Sequence, residues 1–245
     1  MTAPARGGTA EQRLARLRET VIACRKCPRL VQYREEVART KRRAFRDRIY
    51  WGRPVPGFGD PHARLLIVGL APAAHGGNRT GRAFTGDRSG DFLYARLYEA
   101  GFANQPTSVE INDGLELRDG YISAAARCAP PDNRPLPEEL RNCAGYLEEE
   151  FAILQPRAVL ALGAIALHTY LRLLVKQGRI PSAAPYPFSH GAEFRLPGDL
   201  PHLFASYHPS QQNTQTGRLT PAMFAAVLRR IRRVVAASET KNPRR

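Results

Sequence analysis

The sequence lacks an apolar run long enough to cross a membrane, since such a span takes about 20 consecutive apolar residues. Its first residues, MTAPARGGTAEQR, also lack the hydrophobic segment of a secretion signal. These two absences predict a cytoplasmic protein with no membrane partner. With 245 residues, 43% of them hydrophobic, the chain has enough apolar material for one sizeable core.

The two common nucleotide-binding loops are missing as well. The glycine-rich segment 69–87 contains no GK[ST] for a triphosphate, and its glycines are not spaced GxGxxG directly after a strand. The segment instead follows the apolar run Arg64–Gly69 and brings Phe84 and Asp87 close together in the sequence. A strand, a glycine-rich loop and a helix in this order are typical of a ligand cradle at the carboxyl edge of a parallel sheet.

Acidic residues are scarce relative to basic ones. The chain has 22 acidic residues against 37 lysines and arginines, for a formal net charge of +15. Such an excess indicates a polyanionic partner, and the alternative is a composition that only keeps the surface soluble. The basic residues cluster over 39–53, where Tyr50 and Trp51 are interleaved and Asp47 is the one acid. This strip would follow a phosphate backbone, so Arg42 and Arg43 are predicted nucleic-acid contacts in a nucleoid-associated protein.

Strand and helix patterns alternate along the chain. Apolar runs predict four strands, over 64–69, 121–126, 157–163 and 202–206. Helical periodicity predicts helices over 11–23, 29–39, 92–100, 138–154, 164–175 and 220–235, with Ser89 as an N-cap. The alternation predicts an α/β fold, a three-layer α/β/α sandwich around a central four-stranded, mainly parallel sheet. We expect one domain over 11–237, a disordered N-terminus at 1–10 and a disordered basic tail at 238–245.

Cysteine is rare, but its spacing is informative. Cys24 and Cys27 form a C-x2-C pair, and Cys128 and Cys143 form a C-x14-C pair. Because disulfides are disfavoured in a reducing cytoplasm, a shared metal centre is a stronger interpretation than inert buried thiols. Four thiolates bind either zinc or an iron–sulfur cluster, and the spacing alone does not separate the two. Either centre would pin the N-terminal helices to the core.

Five motifs in one order resemble a known enzyme family. They are CRKCPRL, PVPGFGD, GLAPAAHGGNRTGRAFTGD, RCAPPDNRP and SYHPSQQNTQTGRLT, and the match extends from about residue 23 to residue 235. The chain resembles the family 5, or type B, iron–sulfur branch of the uracil-DNA glycosylase superfamily. The resemblance implies the glycosylase fold, removal of uracil from DNA, and a 4Fe-4S cluster on the four cysteines, with zinc as the less favoured occupant. It also implies activity on hypoxanthine and some damaged pyrimidines.

The resemblance also implies a set of base-binding residues. A base inside a duplex cannot be reached, so the nucleotide is flipped into a pocket and recognised there. Phe84 suits a stacking wall, and Asn133 can both donate to and accept from a pyrimidine edge. Ala71, Ala73 and His75 complete the predicted set. The alternatives are a core phenylalanine at 84 and an ordinary turn residue at 133.

Two residues are candidates for the chemistry. His208 can donate a hydrogen bond to the base oxygen on which negative charge develops. Asp87 can orient or deprotonate a water and oppose positive charge on the sugar, while a helix cap is its alternative role. No lysine in these motifs is placed to form a Schiff base, so the enzyme is expected to be monofunctional. The loop after His208 is predicted to enter the DNA with Gln212, Asn213 and Arg218, the alternative being a solvated loop.

One departure from the strict uracil enzymes matters. They carry a polar Asp or Asn just after the first strand, whereas Leu70–Ala74 here has no polar side chain. Asp87 must then substitute, or the chemistry must depend on electrostatics. We therefore keep three interpretations: a monomeric DNA-repair glycosylase, which is favoured, a metal-stabilised nucleic-acid-binding module without catalysis, and a nucleotide- or phosphate-handling α/β enzyme.

Overall fold

The computed structural model describes residues 7–237. Within them the helices are α1 (Ala10–Ile22), α2 (Pro28–Thr40), α3 (Gly77–Thr80), α4 (Arg88–Glu99), α5 (Pro137–Leu154), α6 (Ala164–Lys176), α7 (Gln211–Gln215) and α8 (Pro221–Ala236). The strands are β1 (Phe58–Gly59), β2 (Leu65–Gly69), β3 (Gly120–Ala124), β4 (Ala158–Leu162), β5 (Glu193–Arg195) and β6 (His202–Ser206). Short 3-10 turns lie at Arg43–Phe45 and Pro131–Asn133.

The strands form one sheet in the order β1-β3-β2-β4-β6-β5. The four central strands are parallel, with Leu65 opposite both Gly120 and Ala158, and Ala158 opposite His202. These are the four predicted strands, so the α/β prediction is confirmed. The predicted strand count was incomplete, because β1 and β5 pair antiparallel at the two edges. Both edge strands are only two or three residues long and too short to show a period.

Helices cover the two faces of the sheet, as a three-layer sandwich requires. Along β2, Leu65 and Ile67 pack into one core with α4 and α8, while Leu66 and Val68 pack into a second core with α5 and α6. Both faces of every central strand are therefore buried, which explains the continuous apolar runs in the sequence. On the outside, α1 packs against α5 through Leu17 and Val21.

The helix ends differ from expectation at the glycine-rich loop. The predicted cap at Ser89 is wrong, because α4 begins at Arg88 and its cap is Asp87, two residues before Ser89. Asp87 accepts a hydrogen bond from the Gly90 amide at 3.0 Å. Aspartate is as good an N-cap as serine, so the sequence offers two candidates two residues apart. At the N-terminus, Thr9 caps α1, which begins at Ala10.

The predicted disordered tails are only partly covered by the structure. Residues 1–6 and 238–245 lie outside the described residues, so the domain boundaries stay predictions. Across residues 7–237, no helix combines the length and the apolar character that a membrane crossing needs.

A fully buried ion pair links the sheet to α5. Arg127 donates to the carboxylate of Glu150, and each side chain is only 1% exposed. The same carboxylate accepts a hydrogen bond from Ser123 of β3 at 2.5 Å. Removing one partner of such a pair leaves an uncompensated charge in a medium of low dielectric constant.

We expect Glu150→Ala to lower the free energy of unfolding by about 3–5 kcal/mol, because it strands the Arg127 guanidinium. Urea denaturation measures the change, with Glu149→Ala, one residue earlier on α5, as the matched control. A loss in Glu150→Ala no greater than that of the control would show that the buried pair contributes nothing specific.

Candidate active site

The loops that follow β2, β3 and β6 meet at the carboxyl edge of the sheet and enclose a cavity of 640 Å³. Its walls come from four segments, around Ala71, Phe84, Asn133 and His208. Because parallel strands end at the same edge, residues more than 130 positions apart in the sequence are neighbours here. The cavity is large enough for one nucleobase with its sugar.

Phe84 forms one wall in an unusual backbone conformation. Its φ is +53°, in the left-handed region that a bulky residue rarely adopts. Gly69, the last residue of β2, makes room for the ring, since a Cβ there would lie 3.0 Å from two Phe84 ring carbons. The ring also contacts that of His208, with centroids 5.6 Å apart and planes inclined by 31°. Phe84 is therefore half-buried against the site and not part of the deep core.

Asp87 lies at the start of α4 with its carboxylate facing the glycine-rich loop. One oxygen accepts the capping bond from Gly90, while Oδ2 lies so close to Gly76 that a methyl group on residue 76 would overlap it. Burial raises the pKa of Asp87, and the nearby charge of Asp91 raises it further, while the capping bond and Arg79 act in the opposite direction. Asp87 thus both caps a helix and lines the cavity.

His208 follows β6 and lines the cavity together with Asn133. Burial lowers the pKa of His208 to about 4, so its imidazole is neutral near pH 7. A neutral ring keeps one N–H donor, which suits a hydrogen bond to an oxygen on which charge develops. The backbone beside the ring is fixed, because Asn213 Nδ2 donates to the His208 carbonyl at 2.9 Å.

Asn133 sits on the rim of the cavity in a tight turn. Asp132 and Asn133 both have positive φ, +53° and +56°. Asparagine and aspartate tolerate this region better than most residues, which explains their presence at this turn. Arg29 holds the end of the turn by donating a hydrogen bond to the Arg134 carbonyl at 3.1 Å. The Arg29 guanidinium also makes a two-pronged ion pair with the Glu139 carboxylate.

The remaining predicted base contacts divide into two groups. Ala71 and Ala73 line the cavity, as does Gln212 from the predicted DNA loop. His75 does not line it; its Nδ1 instead lies 3.0 Å from the Tyr50 hydroxyl. The base-binding role of His75 stays a prediction. The cavity also includes Arg134 and Ser210, which we did not predict; their position directly beside Asn133 and after the histidine was the available signal.

All the predicted DNA contacts except Asn213 are exposed. Arg42 and Arg43 are exposed at the start of a segment, residues 42–53, that we call the arginine arm. Arg218 is also exposed, and its guanidinium lies 4.5 Å from the centre of the Tyr207 ring, one residue before the catalytic candidate His208. Asn213 is used differently, because its side-chain amide is bonded to the backbone at His208. Their contacts with DNA stay predictions.

The four cysteines lie close enough for their charges to act on one another. Cys128 and Cys143 are buried and Cys24 and Cys27 half-buried. Burial raises the pKa of the Cys128 thiol to about 12, although the charge and hydrogen bond of Arg34 act in the opposite direction. Among residues 7–237, no three His, Cys, Asp or Glu side chains converge closely enough to hold a single ion. A cluster with a thiolate at each of four corners needs a wider spacing than one ion does.

Two buried arginines beside the thiols fit an anionic centre. Arg34 is 2% exposed and its Nη1 donates to Cys128 Sγ at 3.1 Å, while its Nε has no hydrogen-bond partner within the described chain. Arg127 precedes Cys128, and its Nε and Nη1 likewise find no partner among these residues. Both charges already have a carboxylate nearby, since Arg127 pairs with Glu150 and Arg34 Nη2 lies 3.7 Å from Glu35. The buried N–H donors without partners still call for acceptors, and metal-bound thiolates would supply them.

Comparison with known proteins decides the family. The model of the uracil DNA glycosylase superfamily matches residues 56–232, which include every segment that lines the cavity. The chain belongs to the uracil-DNA glycosylase superfamily. The resemblance noted in the sequence is therefore confirmed, and with it the interpretation of this chain as an enzyme.

Curated relatives narrow the family to its type-5 branch. The chain is 57% identical over 217 residues to a type-5 uracil-DNA glycosylase of Thermus thermophilus, covering 88% of this chain and 95% of the relative. A type-5 relative from Mycobacterium tuberculosis is 50% identical over 224 residues, covering 90% and 81%. The type-5 enzyme of Pyrobaculum aerophilum is 48% identical over 210 residues, covering 86% and 88%, whereas the type-4 enzyme of that organism is only 29% identical over 198.

We expect the imidazole of His208 to titrate near pH 4, because burial disfavours its charged form. NMR measures the titration through the chemical shift of the ring protons, which should stay constant from about pH 8 to 5.5 in the folded protein. In the urea-unfolded chain, the same protons should titrate with a midpoint near pH 6.5. A His208→Gln variant assigns the resonance. Since the folded pKa is the lower one, this group favours the folded state above about pH 6.5 and loses that contribution as the pH falls towards 4. A midpoint between 6 and 7 would contradict the buried, neutral ring.

Proposed function

We propose that this enzyme removes uracil from DNA by flipping the nucleotide into the cavity and hydrolysing its N-glycosidic bond. The observation that carries the proposal is the meeting of Phe84, Asn133, Asp87 and His208 around one cavity of 640 Å³. These side chains provide an aromatic face, an amide, a carboxylate and a neutral imidazole. Together they are the groups needed to recognise a base and to cleave it from its sugar.

Base recognition would use Phe84 and Asn133. A flat ring stacks on any base, while the Asn133 amide can match the alternating acceptors and donors of a uracil edge. The small side chains of Ala71 and Ala73 leave room in the cavity lining, which supports a substrate range that includes hypoxanthine and some damaged pyrimidines. His75 does not line the cavity, and we keep it as a secondary candidate for contacting the base or the sugar.

Bond cleavage divides the charge between base and sugar. The electron pair of the glycosidic bond leaves with the base, and positive charge spreads over the sugar ring. His208, being neutral, donates a hydrogen bond to the base oxygen where the negative charge collects. Asp87 orients a water, accepts its proton as the water oxygen bonds to C1′, and opposes the charge on the sugar. Among the residues that the structure describes, the cavity lining has no lysine, which supports a monofunctional reaction that stops at the abasic site.

The strict uracil enzymes carry a polar Asp or Asn directly after the first strand, and this chain has none there. Asp87 is therefore the main polar group that can position the water. The lining from Leu70 to Ala73 offers no carboxylate or amide, and Asp87 faces it from the start of α4. Because burial raises the pKa of Asp87, activity should fall on acidification at a pH above that expected of an exposed aspartate. The arginine arm, Gln212 and Arg218 would hold the DNA strand on either side of the cavity. We expect the enzyme to act as a monomer in the cytoplasm, at the nucleoid.

The four cysteines would hold a 4Fe-4S cluster, with zinc as the less favoured occupant. When bound, the centre would cross-link the segments around Cys24, Cys128 and α5, and no step of the hydrolysis passes through it. Arg34 would donate to the bound Cys128 thiolate and offset the charge of the centre, as its position at 3.1 Å suggests.

We expect protein purified without oxygen to contain about four irons and to show charge-transfer absorption, both reduced in Cys128→Ser. Elemental analysis measures iron and zinc together, and Ser210→Ala serves as a control with no thiol removed. One zinc and no iron would favour the alternative occupant. Neither metal in anaerobically purified, folded protein would contradict the metal centre.

The activity is tested on labelled duplexes that carry one uracil, one hypoxanthine or only normal bases, followed by alkali to break abasic sites. We expect cleavage of the lesion strands, and a loss of about 10²- to 10⁴-fold in Asp87→Asn, since a positioned acid–base group contributes that much. Glu99→Gln, at the far end of α4 and exposed, is the control, because it also replaces a carboxylate by an amide. Duplex binding without any cleavage by the unmodified protein would favour a nucleic-acid-binding module instead.

A further inference from the structure

Arg79 connects two regions that the proposed function uses separately. It lies in α3 and is only 9% exposed, yet it does not line the cavity. Its Nε donates to the His75 carbonyl at 2.8 Å, and its Nη2 donates to the Gly86 carbonyl at 2.9 Å. Its guanidinium also lies over the Phe45 ring, 4.2 Å from the centre. One side chain therefore contacts the glycine-rich loop, the residue before Asp87 and the arginine arm.

The arginine arm is attached to α3 by further bonds around the same residue. The Trp51 amide donates to the Arg79 carbonyl at 2.9 Å, and the Gly52 amide donates to the Asn78 carbonyl at 3.0 Å. The Tyr50 hydroxyl lies 3.0 Å from His75 Nδ1, so His75 is joined to the arm through its ring and to Arg79 through its carbonyl. The arginine arm is thus hydrogen-bonded to the glycine-rich loop at several points.

The contact with Gly86 is equally specific. Gly86 has a φ of +70°, and a Cβ on it would overlap Arg79 Nη2. The next residue is Asp87, so Arg79 fixes the backbone from which the carboxylate projects. The positive charge of Arg79 also lowers the pKa of Asp87, against the larger effect of burial and that of Asp91, the other charged neighbour. His208, across the cavity, is neutral near pH 7 and adds no charge.

We propose that Arg79 is a positioning residue that links DNA held by the arginine arm to the placement of Asp87. Arg79 touches neither base nor water in this scheme; it acts through Gly86 and through Phe45. The inference rests on the proposed function, because it takes the arm as the DNA contact and Asp87 as the group that acts on water. This role explains why the residue is an arginine, whose several N–H donors bind two carbonyls of the glycine-rich loop at once. A lysine has one charged nitrogen and cannot span both carbonyls in the same way.

The test compares Arg79→Gln, Arg79→Lys and Gly86→Ala with the exposed control Arg172→Gln on α6. Each variant is assayed on a uracil duplex under single-turnover conditions over a range of pH, and its duplex affinity is measured over a range of salt concentrations. For Arg79→Gln we expect a rate about 10- to 100-fold lower, the size of effect that a misplaced catalytic group produces. The acidic limb of its pH–rate profile should move to higher pH, because the positive charge of Arg79, which lowers the pKa of Asp87, is gone. Its salt dependence should be shallower, because a loosened arm neutralises fewer phosphates.

Arg79→Lys separates charge from geometry. It should keep the acidic limb where the unmodified enzyme has it, while its rate stays below that of the unmodified enzyme because only one carbonyl is held. Gly86→Ala keeps the arginine but displaces it, so the same loss of rate is expected there. If Arg79→Gln does not fold, these two variants carry the test alone. Arg172→Gln should match the unmodified enzyme.

The inference is overturned if Arg79→Gln is folded and keeps the rate, the pH profile and the salt dependence of the unmodified enzyme. A lower melting temperature with those three unchanged would likewise leave Arg79 with a purely structural role and overturn it. Failure of the proposed function looks different, because Asp87→Asn would then be as active as the unmodified enzyme. A variant series in which Asp87→Asn is inactive and Arg79→Gln is unaffected rejects only the link through Arg79.

Discussion

The parallel pairing of β2 with β3 and β4 is the constraint on which the site depends. Three of the four parallel strands end in loops that line the cavity, and each loop is delivered to the same edge because the strands run in one direction. The register is fixed by burial on both faces, since a slip of one residue would exchange the two cores. Phe84, Asn133 and His208 meet only while that register holds.

Burial at this edge then sets the charge of the reacting groups. Burial lowers the pKa of His208, which leaves the imidazole neutral, and raises the pKa of Asp87. One cause thus shifts the two pKa values in opposite directions, because it disfavours the charged form of each group. A donor without charge and a carboxylate with a raised pKa suit a reaction in which negative charge leaves with the base and a water must lose a proton. The glycines and alanines of the loop permit this burial because they bring backbone, not solvent, against the side chains.

Much of the fold could be predicted because the central strands are buried on both faces and read as continuous apolar runs. The edge strands could not, since β1 spans two residues and β5 only three, and an alternation over three residues is too short to recognise in the sequence. Around the site, motifs identified Phe84, Asp87, Asn133 and His208, but not which carboxylate or hydroxyl caps α4. The side-chain partner of His75 was also beyond prediction. Its ring is held by Tyr50, 25 residues away, and only the folded chain brings them together.

The close approach of Gly76 to Asp87 limits how this loop can vary over generations. A side chain at residue 76 would meet the carboxylate before it met anything else, so a substitution there acts on Asp87 even though it lies eleven residues away. The constraint runs in one direction: a larger residue at 76 becomes tolerable only after the acid has been moved or lost. The glycine therefore has to persist for as long as the carboxylate does.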